Sequence, residues 1–376
     1  MMSTYIFILG KDRELSFAEL KACYPRAKLK AEGDDFAVFD TDEKIDQAEF
    51  NRLGGCLKAG KANYSVSRAE LPDALARELA NRHSGSKLDF AVSVYGWPEK
   101  NLRPLLVSLR KAMSAKGLSS RFANQKFLNL SVPQHKGIGK KGIEFIVARS
   151  GERFFVGPVI AVQDIDGYSR RDYGKPFRNM KVGMLPPKLA QIMINLTGVK
   201  EGKVWDPFCG TGTLVMEGLL MGHDMLGSDV DPKVLDGAKK NADWLVREFG
   251  VKNKAEFFVH DATRPMRDKI FGAIAAEGYL GPPQPPHLEA GRLSPLVVKL
   301  EKLYVDFFRA LKEAGCEKPV VIAMPFFRCA GGKIVDLKDA TGRIASLGFL
   351  VQGSYRYARP DQSVGRLITC FSRKCR

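Results

Sequence analysis

Three acids stand after strand-like runs in the second half of the chain, at spacings that suit a nucleoside. Asp206 closes Val204-Trp205-Asp206, and Gly210 and Gly212 then open a turn before an apolar helical run from Leu214 to Leu220. That order is the start of a βαβ unit. The glycines let the backbone pass close to a ligand, and the next strand ends at Asp229, 23 residues after Asp206, where a carboxylate can take a ribose hydroxyl pair. Asp261 follows a third expected strand, Ala255 to Val259, and can reach an adenine amino group. The third glycine of a dinucleotide fingerprint and the Lys-Ser/Thr of a phosphate loop are both missing, so nothing here requires a pyrophosphate. The plain alternative is a buried strand-turn-helix with no ligand.

The fuller string DPFCGTGTLVMEGLL, with GSDVDP and HDAT behind it, resembles the class I S-adenosylmethionine (SAM) methyltransferases, in the branch that methylates exocyclic amines of nucleic-acid bases. The resemblance implies SAM as cofactor and an α/β catalytic domain with a Rossmann-like, seven-stranded sheet. It assigns cofactor binding to Asp206, Phe208, Gly210, Gly212, Asp229, Val230, Asp261 and Ala262. Amine methyltransferases carry Asp/Asn-Pro-Pro-aromatic at the end of the fourth strand, expected here at Gly272 to Ala276. An exocyclic amine lends its lone pair to the ring, so an acid or amide oxygen and a backbone carbonyl accept its hydrogens while an aromatic ring stacks on the flipped base. This chain has Glu277-Gly278-Tyr279-Leu280-Gly281-Pro282-Pro283 instead, which looks like a divergent bacterial subgroup. The resemblance makes Glu277 the catalytic acceptor and Tyr279 the stacking ring.

The 376 residues suffice for two or three domains, and 45% hydrophobic with 27% charged residues describes a soluble globular protein. No apolar run approaches a spanning helix, and the N-terminus does not read as a signal peptide. Seven cysteines form no CxxC pair and no ligand-spaced cluster with the five histidines, which predicts cytoplasmic thiols and no metal. The net charge of +17 is unevenly placed: residues 101–200 hold 18 Lys/Arg against 5 Asp/Glu, whereas residues 1–50 hold 7 against 11. Such a concentration favours a polyanion as partner over a merely solvated face.

In chain order, residues 1–63 alternate short strands and helices as a small α+β, ferredoxin-like module, and YIFILGKDRELSFAELKA resembles the N-terminal module of tRNA guanosine N2-methyltransferases of the position-10 type. Residues 64–163 read as a second α+β module, with helices over Leu71 to His83 and Asn101 to Lys116 and strands over Asp89 to Tyr95, Phe127 to Val132, Gly142 to Ala148 and Arg153 to Val162. This arrangement is similar to a THUMP domain, an RNA-capturing module. Lys136, Lys140 and Lys141, in the turn QHKGIGKKG, are candidate phosphate contacts. Residues 164–184 are expected to be a linker without helix, because of their glycines and Pro176. Its Arg170, Arg171, Lys175 and Arg178 alternate with Tyr168, Tyr173 and Phe177, a pattern suited to a sugar-phosphate chain. It resembles the R-R-D-x-x-x-P-x-R connector of the same methyltransferases. Near the C-terminus, RYARPDQSVGRL places Arg356, Arg359 and Arg366 at the mouth of the expected domain over residues 185–376, and Arg359 is a further RNA candidate.

Residues and resemblance together predict a SAM-dependent methyltransferase of an RNA base amine, most directly N2 of a tRNA guanosine. Two alternatives stay open at this point: N6-adenine methylation of DNA or RNA, and an RNA-binding pseudoenzyme that has lost methyl transfer. tRNA is the expected partner, with or without a small activator subunit, and neither membrane nor metal is expected.

Overall fold

The computed structural model describes residues 2–82, 88–138, 142–178, 184–285, 288–360 and 362–373. The chain divides into two compact units, residues 1–166 and 167–376.

The first unit opens with β1 (Ser3–Leu9), α1 (Arg13–Cys23), β2 (Lys28–Glu32), β3 (Phe36–Thr41), α2 (Gln47–Phe50) and β4 (Cys56–Lys61). The strands lie in the order β2-β3-β1-β4, the ferredoxin-like βαββαβ arrangement. β1 is an unbroken apolar run because both its faces are covered. Tyr5, Phe7 and Leu9 pack with Leu20, Phe39 and Phe50, and Ile6 and Ile8 pack on the other side with Val38, Tyr95 and Ile146.

The same sheet continues without a break past residue 63. Here follow β5 (Tyr64–Val66), α3 (Leu71–Ala80), β6 (Leu88–Tyr95), α4 (Leu102–Ser114), β7 (Ser120–Phe122), α5 (Val132–Gly137), β8 (Gly142–Ser150) and β9 (Arg153–Val162), and β9 pairs with both β4 and β5. A buried ion pair spans the join: Lys58 Nζ of β4 donates to Glu144 Oε1 of β8 at 2.5 Å and to the Leu130 carbonyl at 2.6 Å. The expected strand over Phe127 to Val132 is absent. Ser131 instead caps α5 in a reciprocal box with Gln134, so Lys136 stands on a helix and not in a turn.

The linker also departs from expectation, since α6 (Ile165–Tyr173) is helical despite Gly167. A glycine inside a helix costs only about 1 kcal/mol. Burial outweighs it: Tyr168 and Arg171, one turn apart, both point inward, with the guanidinium carbon 4.5 Å from the ring centroid.

In the second unit come α7 (Pro187–Leu196), β10 (Val204–Asp206), α8 (Thr213–Leu220), β11 (Met225–Asp229), α9 (Pro232–Phe249), β12 (Ala255–Val259), β13 (Ala273–Glu277), α10 (Ser294–Glu313), β14 (Val320–Arg328), β15 (Ile334–Asp336), α11 (Lys338–Ser346), β16 (Phe349–Tyr357) and β17 (Val364–Arg373). The sheet order is β12-β11-β10-β13-β14-β17-β16, with β15 beside β14. Five strands are parallel and β17 runs antiparallel between β14 and β16. The order reverses at β10, and ligands of open α/β sheets bind at the carboxyl ends of strands beside such a switch point. A core lies under β10, β13, β14 and α10, built on Trp205, Tyr304, Phe307, Phe308 and Phe327. Among the described residues no helix is long and apolar enough to cross a membrane, and no group of His, Cys, Asp or Glu could hold a metal ion.

Candidate functional site

The carboxyl ends of β10, β11, β12 and β13 carry Asp206, Asp229, Asp261 and Glu277, respectively at or just past the last strand residue. At the switch point the backbone itself builds a corner. Gly210 and Gly212 take φ of +52° and +82°, conformations that favour glycine, and Gly212 caps α8. A β-carbon on Gly210 would meet no atom closer than 3.9 Å, so that side of the loop is open to a ligand. Gly210 N–H donates to Asp229 Oδ2 at 3.1 Å and Asp231 N–H to Asp229 Oδ1 at 3.0 Å, which orients the carboxylate at the end of β11. Val230 beside it is 63% exposed, an apolar surface at a strand end. Asp261 is fixed by the hydroxyl and backbone N–H of Thr263, both donating to Oδ1; these bonds hold its carboxyl below the usual range. Phe208 and Ala262 serve partly as packing: Phe208 meets Phe307 edge-on at 5.4 Å, and Ala262 is buried in the core.

Asp206 is buried and accepts from Phe208 N–H at 3.2 Å. Burial pushes its carboxyl well above the ordinary range, and the charges of Asp229 and Glu277 add to that. Three acids thus converge, and a cationic ligand at their meeting point would relieve them. The corner thus combines an oriented carboxylate at Asp229, an exposed apolar side chain at Val230 and open backbone at Gly210.

Opposite, at the end of β13, Glu277 forms an ion pair with Arg366 of β17, Nε to Oε1. The Arg366 side chain is 4% exposed and that of Glu277 17%. Burial pushes the Glu277 carboxyl up, against the guanidinium, which draws it down. Behind the segment lies Tyr304, fully buried, whose hydroxyl donates to the Tyr279 carbonyl at 3.0 Å. A β-carbon on Gly278 would come within 2.4 Å of that hydroxyl, so the glycine of Glu-Gly-Tyr admits Tyr304. The Tyr279 side chain is half exposed at the mouth. Arg366 and Tyr304 were not legible as site residues. Arg366 reads as one of several hairpin arginines, and Tyr304 as one apolar position of an amphipathic helix.

The cations proposed for RNA separate into two groups. Arg171 and Lys175 turn inward, which corrects the expectation for both: Arg171 Nε donates to buried Glu217 of α8 at 2.7 Å, and Lys175 Nζ to Thr213 Oγ1 at 3.0 Å. They fasten the linker to the first two turns of α8, immediately after the glycine loop. Asn241 of α9 completes the attachment, accepting from Phe177 N–H and donating to the carbonyls of Phe177 and Thr211, each at 2.9 Å. Arg170 pairs with Glu248, and the Arg178 guanidinium sits 5.5 Å from the Tyr173 ring centroid. Lys136 is exposed but pairs with Asp166 at 2.7 Å. Arg359 is exposed in the loop after β16. Lys140 and Lys141 lie outside the described residues.

This sheet order, with its glycine corner and strand-end acids, defines a class I SAM-dependent methyltransferase. Comparisons agree and narrow the class. Residues 176–324 match the family UPF0020, RMKL-like methyltransferase domain. A tRNA (guanine(10)-N2)-dimethyltransferase of Methanocaldococcus jannaschii is 36% identical over 250 residues, covering 62% of this chain and 68% of the relative. One of the same description from Methanothermobacter thermautotrophicus is 26% identical over 316 residues, covering 81% and 83% respectively. The solved structure of TrmN from Thermus thermophilus superposes across 99% of this chain and 100% of its own, with TM-score 0.53 and 17% identity, a likeness of fold. The chain belongs to the tRNA guanosine N2-methyltransferase family.

Proposed function

We infer that this protein is a SAM-dependent methyltransferase that modifies N2 of a guanine in tRNA. The observation that carries the reading is the placement of Glu277 at the carboxyl end of β13, across the switch point from the Asp229 corner, as a partly exposed carboxylate. SAM supplies a methyl group on a sulfonium sulfur, with a neutral thioether to leave behind. Asp229, Gly210, Val230 and Asp261 hold the nucleoside half of SAM in this reading, and Glu277 and Tyr279 face the target base.

Guanine suits such an acceptor better than adenine. Its amine stands beside N1–H, a second donor that also favours a nearby carboxylate oxygen, whereas adenine sets the N1 lone pair beside its amine and would meet the same carboxylate repulsively. Glu277 accepts an amine hydrogen, which concentrates the nitrogen lone pair, and takes the proton that the nitrogen sheds as it gains a methyl group. Tyr279, half exposed, stacks on the flipped base.

For the rest of the chain, we propose that residues 64–163 form a THUMP-like RNA-binding module within the first unit, with the excess of cations over residues 101–200 supplying phosphate attraction. A cytoplasmic location accords with a tRNA substrate and with the reduced thiols of Cys56, Cys209, Cys316, Cys329 and Cys370. Labelled SAM and tRNA transcripts, followed by nucleoside mass spectrometry, test the function. N2-methylated guanosine is the expected product, and position 10, named for the relatives, is the first nucleotide to replace. Label appearing in N6-methyladenosine instead, or none at all, would overturn it.

A further inference from the structure

The Glu277 carboxylate is held in a way that nothing in its neighbourhood of the sequence announces. Its Oε1 is taken by Arg366 Nε, and the same guanidinium reaches back through Nη2 to the Met184 carbonyl at 3.5 Å. Arg366 is nearly buried in the middle of a sheet, opposite Pro325 of β14 and Tyr357 of β16. Arginine is almost never buried so deeply unless it is paired, and here its carboxylate partner is the proposed acceptor itself. An arginine serving only the sheet would need no contact with the acid that faces the target base.

We propose that Arg366 is a positioning residue for methyl transfer: it grips Glu277 through Oε1 and leaves Oε2 to receive the amine of the target guanine. This inference rests on the reading of Glu277 above. Arg366 touches neither base nor cofactor and acts through the carboxylate. In the transfer, nitrogen forms its bond to the methyl carbon, the carbon–sulfur pair departs with the sulfur, and the proton displaced from nitrogen passes to Glu277 Oε2. A carboxylate free to turn about its last side-chain bond would offer that oxygen only part of the time, and a fixed one offers it throughout.

Charge supports the geometry. Among the described residues, the titratable groups that act on Glu277 are Arg366 from β17, Tyr304 from α10 and Asp206 from β10. Burial already pushes the Glu277 carboxyl up, and Arg366 alone among these three draws it down. Without that cation the carboxyl would rise further, and the ionised acceptor would be present only at higher pH.

The test uses the full-length protein, SAM and a tRNA transcript under single-turnover conditions, with Arg366→Gln, Arg366→Lys, Glu277→Gln and the Gln/Gln double variant. Carboxyl-labelled glutamate followed by 13C NMR, with the Glu277 resonance assigned from Glu277→Gln, gives a readout independent of turnover. Arg366→Gln is expected to slow transfer by about 10²-fold, in the range of positioned acid–base groups, with SAM affinity kept within about threefold. The acidic limb of its pH–rate profile and the NMR titration of Glu277 should both move to higher pH. Arg366→Lys should recover part of the rate and of the shift, and Arg366→Gln should add little in the Glu277→Gln background. An unmoved titration, or additive losses in the double variant, would overturn the proposal. So would a joint loss of SAM binding and thermal stability with no shift in either variant, which is the mark of a purely structural arginine. Wild-type protein that transfers no methyl to tRNA guanine would sink the functional reading, while the NMR arm would still decide whether Arg366 governs Glu277.

Discussion

Asp229 and Glu277 end strands on either side of β10, and their carboxylates are held by opposite kinds of partner. Asp229 is gripped by backbone N–H groups of Gly210 and Asp231. Glu277 is gripped by the side chain of Arg366, 89 residues further along, with Tyr304 closing the space behind Gly278. The Asp229 corner therefore asks little of sequence beyond an acid and glycines at fixed spacing, because every chain has backbone donors. The Glu277 corner asks for particular side chains from remote elements.

The contrast predicts that buried side-chain pairs are costly to break and that backbone-held groups cost less. The largest effect should come from Arg171→Ala, which strands Glu217 in the core. Burial pushes the Glu217 carboxyl up, and the Arg171 guanidinium is the foremost group drawing it down. A loss of about 3–5 kcal/mol in denaturant unfolding of the second unit is expected. Unchanged stability with weakened tRNA binding would restore Arg171 as a phosphate contact.

Next, Asp229→Ala should weaken SAM binding by about 1.5–3 kcal/mol in calorimetry, the usual worth of hydrogen bonds to a charged group, while the fold stays intact. Binding as tight as wild type would remove Asp229 from the cofactor site. Smaller again is Gly212→Ala, which places a β-carbon at φ +82° and 3.1 Å from Ala238 Cβ. The strain should cost about 1–2 kcal/mol of stability, read as a lower Tm, and SAM should recover part of it by binding only the folded state. The smallest change is expected for Lys136→Ala, whose pair with Asp166 is solvent-exposed and worth roughly 0–1 kcal/mol. Its Tm should barely move, and a reduced salt dependence of tRNA affinity would mark Lys136 as a phosphate contact.

How much was legible follows the same division. The strand-turn-helix at Asp206 to Leu220, the acid at Asp229 and the sheet of the second unit could be read because their determinants are local: apolar periodicity, glycine spacing and an acid at a strand end. Glu277 could be placed at the end of β13 for the same reason, although not its partner. The linker failed the local test. Gly167 and Pro176 argue against helix, but Tyr168 and Arg171 gain more by burial than Gly167 costs, so α6 forms. The pattern of alternating cations and aromatics at 168–178 likewise did not say which cations point outward, since arginine and lysine stems pack as readily as they solvate. α5 was missed where Ser131 and Gln134 cap each other, a local signal masked by the glycines and lysines that follow.

By itself, then, the sequence determined the class of the catalytic domain and the local build of the Asp229 corner, because a positive-φ turn and a strand-end acid are written into neighbouring residues. Tertiary structure alone decided which charges are spent inside the molecule. Arg171 and Lys175 hold the linker to α8, and Arg366 reaches Glu277, because the fold brings together groups dozens of residues apart. An ion pair forms only where the chain delivers both partners to one place and excludes water around them.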